Sequence, residues 1–170
     1  MGLCPNRAEF HILEIDGKES GMTSQKTQSI TLKIAVIGDV HDQWEVEDGI
    51  ALKHLGVDLA LFVGDFGNES VEVVRAIASL DIPKAAVMGN HDAWYTATEW
   101  GRKKAPYDRS KEDWVQEQLD LLGASHVGYG KLDFPAWNLT VVGGRPFTWG
   151  GPEWKFAEIC QERYGVTSLE

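Results

Sequence analysis

Three times along this chain an apolar run ends on glycine followed by a side chain able to ligate a metal, and this repeat limits the possible folds more than any other feature. The runs close as Gly38-Asp39-Val40-His41, as Gly64-Asp65-Phe66-Gly67-Asn68 and as Gly89-Asn90-His91-Asp92. The first run, residues 33–37, is rich in Ile and Val and lacks polar alternation, which reads as a strand buried on both faces, the habit of a parallel strand in an α/β sheet. Asp39, Asp65 and Asn90 follow one another at nearly equal intervals, each about the length of one strand, turn and helix. Crossover connections of that length make successive strands parallel, so all three tips fall on one edge of the sheet. Ligands bind at that carboxyl edge in open α/β sheets. An oxygen donor and an imidazole two residues apart, Asp39 and His41, form a candidate half-site for a metal there. The glycines ahead of each tip permit tight turns and close backbone approach.

Between the tips the pattern changes to helical. Residues 44–55 place Val46, Ile50 and Leu55 near helical spacing, with Gly56 positioned to end the helix, and Val71, Val74, Ile77, Ala78 and Leu80 trace the inner face of a second helix. Strands are expected at residues 58–63 and 84–88, the latter entered from the turn at Ile82-Pro83. Further on, the pattern predicts a helix over 111–122, strands over 123–129 and 139–142, and a helix over 152–164. Residues 1–30 hold one apolar cluster, at 10–15, followed by a polar stretch without periodicity. They are expected to form a mobile N-terminal extension ahead of a single domain spanning residues 31–170.

A formal net charge of −10 argues against nucleic acid as a bulk partner but leaves room for a small phosphorylated substrate held through metal. Cys4 and Cys160 make neither a zinc pattern nor a disulfide framework, which fits a reducing, cytoplasmic location. No apolar run approaches the roughly 20 residues of a membrane span, and the start has no signal-peptide core, so no membrane association is expected.

The three blocks resemble the signature of the calcineurin-like metallophosphoesterases, D-x-H, G-D-x-x-D/N and G-N-H-D/E, present here in order, and the similarity covers roughly residues 31 to 150. The resemblance implies one parallel βαβαβ half of an αββα sandwich and hydrolysis of a phosphomonoester or phosphodiester with two divalent ions. It assigns Asp39 and His41 to the first ion, Asp65 to a bridge between both, and Asn90 to the second. His91 is implied as the acid or transition-state stabiliser at the leaving group, with Asp92 orienting it. Asn68 is expected to hydrogen-bond a ligand from outside the coordination sphere. Oxygen and nitrogen donors together suit Mn, Fe or Zn without selecting among them.

The family's pattern continues with further histidines, ending in a G-H-x-H block, whereas only His126 follows His91 here. His126 reads as a structural or edge-strand residue. The expectation is therefore a C-terminally truncated domain with an incomplete second ion site and a largely missing second sheet, whose exposed face a partner chain would cover. An alternative is a weak or inactive metal-binding module derived from such an enzyme. Trp94 and Trp100 follow the third block closely enough to wall the site, and the glycine-rich loop 143–151, with Arg145, reads as a turn or a substrate contact. Arg102-Lys103-Lys104 reads as a solvated face, and His11 and His54 as surface residues.

Overall fold

The computed structural model describes residues 9–18, 29–144 and 161–162. Its centre is a four-stranded sheet in the order β1-β2-β3-β4, built from β1 (Glu9–Lys18), β2 (Ser29–Gly38), β3 (Leu59–Phe62) and β4 (Lys84–Ala86). Strands β2, β3 and β4 are parallel, in registers that pair Ile34 with Leu59 and Ala60 with Lys84. Helices α1 (Val46–His54) and α2 (Val71–Ala78) make the two crossovers, so the tips of β2, β3 and β4 share one edge, as the spacing predicts.

Part of the expected N-terminal extension is strand. Glu9–Lys18 pairs antiparallel with β2 along its whole length, from Glu9 opposite Gly38 to Lys18 opposite Ser29. Cross-strand apolar pairs account for it: Phe10 faces Ile37, Ile12 faces Ala35 and Leu13 faces Ile34, and the Phe10 ring stacks against Trp44 with centroids 6.3 Å apart.

One face of the sheet packs on helices. Ala35, Ile37, Ala60, Phe62 and Ala86 join Leu52 of α1, Val74 and Ile77 of α2, and Val115 and Leu122 of α5 (Trp114–Leu122) in a single buried cluster. Each fully buried large side chain of this kind contributes about 1.5–3 kcal/mol. Two short helices, α3 (Trp94–Ala97) and α4 (Glu99–Arg102), lie between β4 and α5. Helix α2 buries Val71, Val74 and Ile77 as its periodicity predicts. Helix α1 does not follow its expected face: Val46 and Ile50 are exposed, and Gly49 and Leu52 are buried instead. A Cβ at position 49 would stand 2.8 Å from the side chain of Leu80, which follows α2, so the face of α1 turned to Leu80 has room for glycine and not for a Val or Ile stripe.

The opposite face is covered in part by an antiparallel hairpin, β5 (Lys131–Phe134) and β6 (Leu139–Val142), joined through a 3-10 turn at Pro135–Trp137. Phe134, Trp137, Leu139 and Val141 pack on Leu32, Ile34 and Leu59. Among the described residues this hairpin is the second layer, which gives the expected face a local cover of two strands. The strand expected over 123–129 does not form: Gly123–Ser125 is a 3-10 turn, and His126 makes an isolated parallel bridge to Ala86 at the sheet edge, in keeping with its structural reading. Residues 145–151 of the glycine-rich loop lie outside the described residues, as does the helix expected at 152–164 except for Gln161 and Glu162, which are helical.

Candidate metal centre

The tips of β2 and β3 are built from backbone that most residues avoid. Asp39 (φ 50°), His41 (φ 44°), Asp42 (φ 64°), Asp65 (φ 55°) and Glu69 (φ 53°) all lie in the left-handed region. Non-glycine residues there cost of order 1–3 kcal/mol each and persist where neighbouring structure fixes them. Here the two loops fix each other: the His41 N–H donates to the Asp65 carbonyl at 3.0 Å and the Asp42 N–H to the Phe66 carbonyl at 2.8 Å. The β3 and β4 tips meet just as closely. A Cβ on Gly64 (φ 93°) would strike the Gly89 backbone, and one on Gly89 would strike the Asp65 carboxylate.

This folding brings donor atoms of His41, Asp65 and His91 within 4.8 Å of one another, each on a half-buried residue. A carboxylate and two imidazoles at that spacing fit a divalent transition-metal ion in their donor types and mutual reach. The Asp39 carboxylate lies 3.6 Å from His41 Nε2. Asp65 Oδ1 accepts the His91 N–H at 3.0 Å, which ties the carboxylate to the third block. The His91 ring is fixed on three sides. Its Nδ1 meets Asn68 Oδ1 at 2.8 Å, Trp94 stacks on it with centroids 4.9 Å apart and planes 6° off parallel, and the His41 ring stands edge-on at 4.7 Å.

Asp92 has a different position from the expected one. Its fully buried carboxylate accepts the N–H groups of Gly89 (2.7 Å), Phe66 (2.8 Å) and Asp65 (2.9 Å), and the ring of His91 is held by Asn68. Burial pushes the Asp92 carboxyl up to about 8, against the pull of the Gly89 N–H and its two companions. Asp92 thus clamps the second tip to the third. Replacing it with asparagine turns an amide N–H₂ toward at least one of those donors, and the expected loss is about 1–3 kcal/mol of folding stability. Urea denaturation checks this, and an unchanged midpoint would show that the clamp is not needed.

Not every expected residue reaches the cluster. Asn90 stands at the start of the 3-10 turn His91–Ala93, next to the cluster in sequence, while the Asp39 side chain is exposed. The basic trio is engaged locally: Arg102 donates to the Thr96 carbonyl (3.1 Å), Lys103 pairs with Glu99 (2.8 Å) and Lys104 lies 3.8 Å from the centroid of the Trp100 ring. Three further residues support the site without a motif to announce them: Glu69, Tyr107 and Gln118. The buried Gln118 amide donates to the Asp92 carbonyl at 2.9 Å, and the buried Glu69 carboxylate accepts the Tyr107 O–H. A glutamate directly after the Asp65–Asn68 block, at the start of a helix, resembles an ordinary first-turn acid, so only its burial reveals it.

A family model described as calcineurin-like phosphoesterase matches residues 32–164. The chain belongs to the calcineurin-like phosphoesterases. The matched span takes in the parallel strands and all three signature blocks, so the half-sandwich of β2, β3 and β4 with its helices is a calcineurin-like architecture. No curated protein and no solved structure matches the chain. Calcineurin-like phosphoesterases are metal-dependent as a rule, and the His41–Asp65–His91 cluster supplies the donors for such a centre. No helix among the described residues is long and apolar enough to cross a membrane.

Proposed function

We propose that this chain hydrolyses a phosphomonoester or phosphodiester of small size, using two divalent ions drawn from Mn, Fe or Zn. The observation that carries the reading is the convergence of His41, Asp65 and His91 at the carboxyl edge of a parallel sheet. The assignment keeps Asp39 and His41 on one ion, Asp65 between the two and Asn90 on the other. Divalent ions held there acidify water and offset the charge of a phosphoryl group.

The chain's own residues supply orientation and a proton. With Asn68 Oδ1 as acceptor, His91 Nδ1 carries a proton, which leaves Nε2 to face the reacting oxygens. In its protonated form that Nε2 donates to the departing alkoxide, a step of general acid catalysis. The Trp94 stack holds the ring in plane and keeps water from one of its faces. Asp92 acts one layer back, by fixing the Asp65 and Gly89 backbone on which the bridge and the imidazole stand.

The test is hydrolysis of p-nitrophenyl phosphate and bis(p-nitrophenyl) phosphate by the purified chain in Mn²⁺, Zn²⁺ or Fe²⁺. Turnover that disappears with a chelator and returns with metal is the expected result. Bound metal without turnover of either ester would instead favour the metal-binding module.

A further inference from the structure

We propose that Glu69 is a positioning residue for His91, set by Tyr107 and acting through Asn68. The proposal rests on the phosphoesterase reading for its catalytic consequence and on geometry alone for the contact itself. Glu69 is fully buried, and a carboxylate is buried only when its oxygens are satisfied. Both are: Oε1 accepts the Thr96 N–H at 2.5 Å and Oε2 accepts the Tyr107 O–H at 2.5 Å. Its backbone is held as well, because the Glu69 N–H donates to the His91 carbonyl at 3.1 Å. The φ of 53° adds a conformation that a residue of this kind does not adopt without such restraint.

The neighbouring Asn68 is exposed and presents its Oδ1 to His91 Nδ1. An exposed asparagine has little packing to choose its direction, so its aim follows from where the Glu69 backbone is pinned. Tyr107 is itself well anchored. Its ring stacks on Trp114 at the start of α5 with centroids 4.2 Å apart and meets Tyr95 edge-on at 6.4 Å. Burial and the adjoining carboxylate push the Tyr107 phenol up to about 12, which keeps it a donor at neutral pH. Helix α5 therefore reaches the third block twice, once through Gln118 to the Asp92 carbonyl and once through Tyr107, Glu69 and Asn68 to the His91 ring.

Tyr107→Phe tests this in the full chain, since it removes the O–H and keeps the ring stack. Two measurements are needed: the ¹⁵N resonances of the histidine rings without added metal, and kcat and KM for p-nitrophenyl phosphate with Mn²⁺. The His91 ring resonances should move toward those of an Asn68→Ala chain, with those of the exposed His54 unchanged. Supporting-residue changes around metal sites typically cost 10–100-fold, and kcat should fall about tenfold with KM nearly constant. Added to Asn68→Ala, Tyr107→Phe should cost less than about twofold more, because both act through one contact. Glu69→Gln should act in the same direction, and if it fails to fold, the milder Tyr107→Phe still decides. Unmoved His91 resonances in a folded Tyr107→Phe chain, or an equal loss in both backgrounds, would overturn the proposal. If the chain hydrolyses no phosphoester, the ring resonances alone decide whether the contact exists.

Discussion

An Asp65→Asn chain is expected to lose bound metal and hydrolysis together. Asp65 is the one carboxylate of the His41–Asp65–His91 cluster, and it is the residue assigned to both ions. Asparagine keeps the shape and can still accept the His91 N–H, so the backbone of the tip should survive. What disappears is the negative charge that would hold divalent cations at this tip. Mn²⁺ titration by calorimetry, followed by metal analysis after gel filtration, should find almost no ion retained and no turnover above background. An Asp65→Asn chain that keeps two ions would remove the bridge from the assignment. The circular dichroism of this variant should match the native chain, which separates loss of a ligand from loss of the fold.

The second large effect is expected at His91, whose place in the structure supports two different roles. Its ring lies within reach of the metal donors, and its Nδ1 is also held by Asn68 in the manner of a group kept ready to pass a proton. The acid role predicts that His91→Asn lowers kcat by ~10²–10⁴-fold while metal content stays near native. It further predicts that the loss is smaller for p-nitrophenyl esters than for alkyl esters, because a good leaving group needs less protonation. Loss of an ion in proportion to the loss of turnover would make His91 a ligand instead. Undiminished hydrolysis of an alkyl phosphate would exclude both roles.

Much of this arrangement is legible in the sequence because strand and tip signals are local. The Lys33–Ile37 run, its glycine and the donors after it lie close together in the chain, and parallel pairing then places the three tips together without long-range information. Helix α1 shows where local reading fails. Val46 and Ile50 have the right spacing for an inner face, yet the close approach of Gly49 to Leu80 rotates the helix about a contact that no periodicity encodes. Strand β1 is illegible for a related reason: the 10–15 cluster becomes a strand through its pairing with β2, which is a tertiary fact. At the site, the three residues brought together, His41, Asp65 and His91, stand in the motifs, as does Asn68 beside the His91 ring. The division of labour between Asn68 and Asp92 cannot, since it depends on which of two nearby polar groups turns toward an imidazole. Glu69 and Tyr107 are invisible to spacing because the interaction joins residues 38 positions apart across α3 and α4.

The left-handed residues at the strand tips also bear on how such a chain can change. At Asp39, His41 and Asp65 the backbone would be relieved by glycine, which adopts this conformation without the ~1–2 kcal/mol penalty that a Cβ brings. A search for heat-tolerant variants scored on folding alone would thus be drawn toward glycine at the positions assigned to metal. Robustness and chemistry pull against each other at these residues, and any programme of stabilisation has to hold them fixed and look for its gains elsewhere.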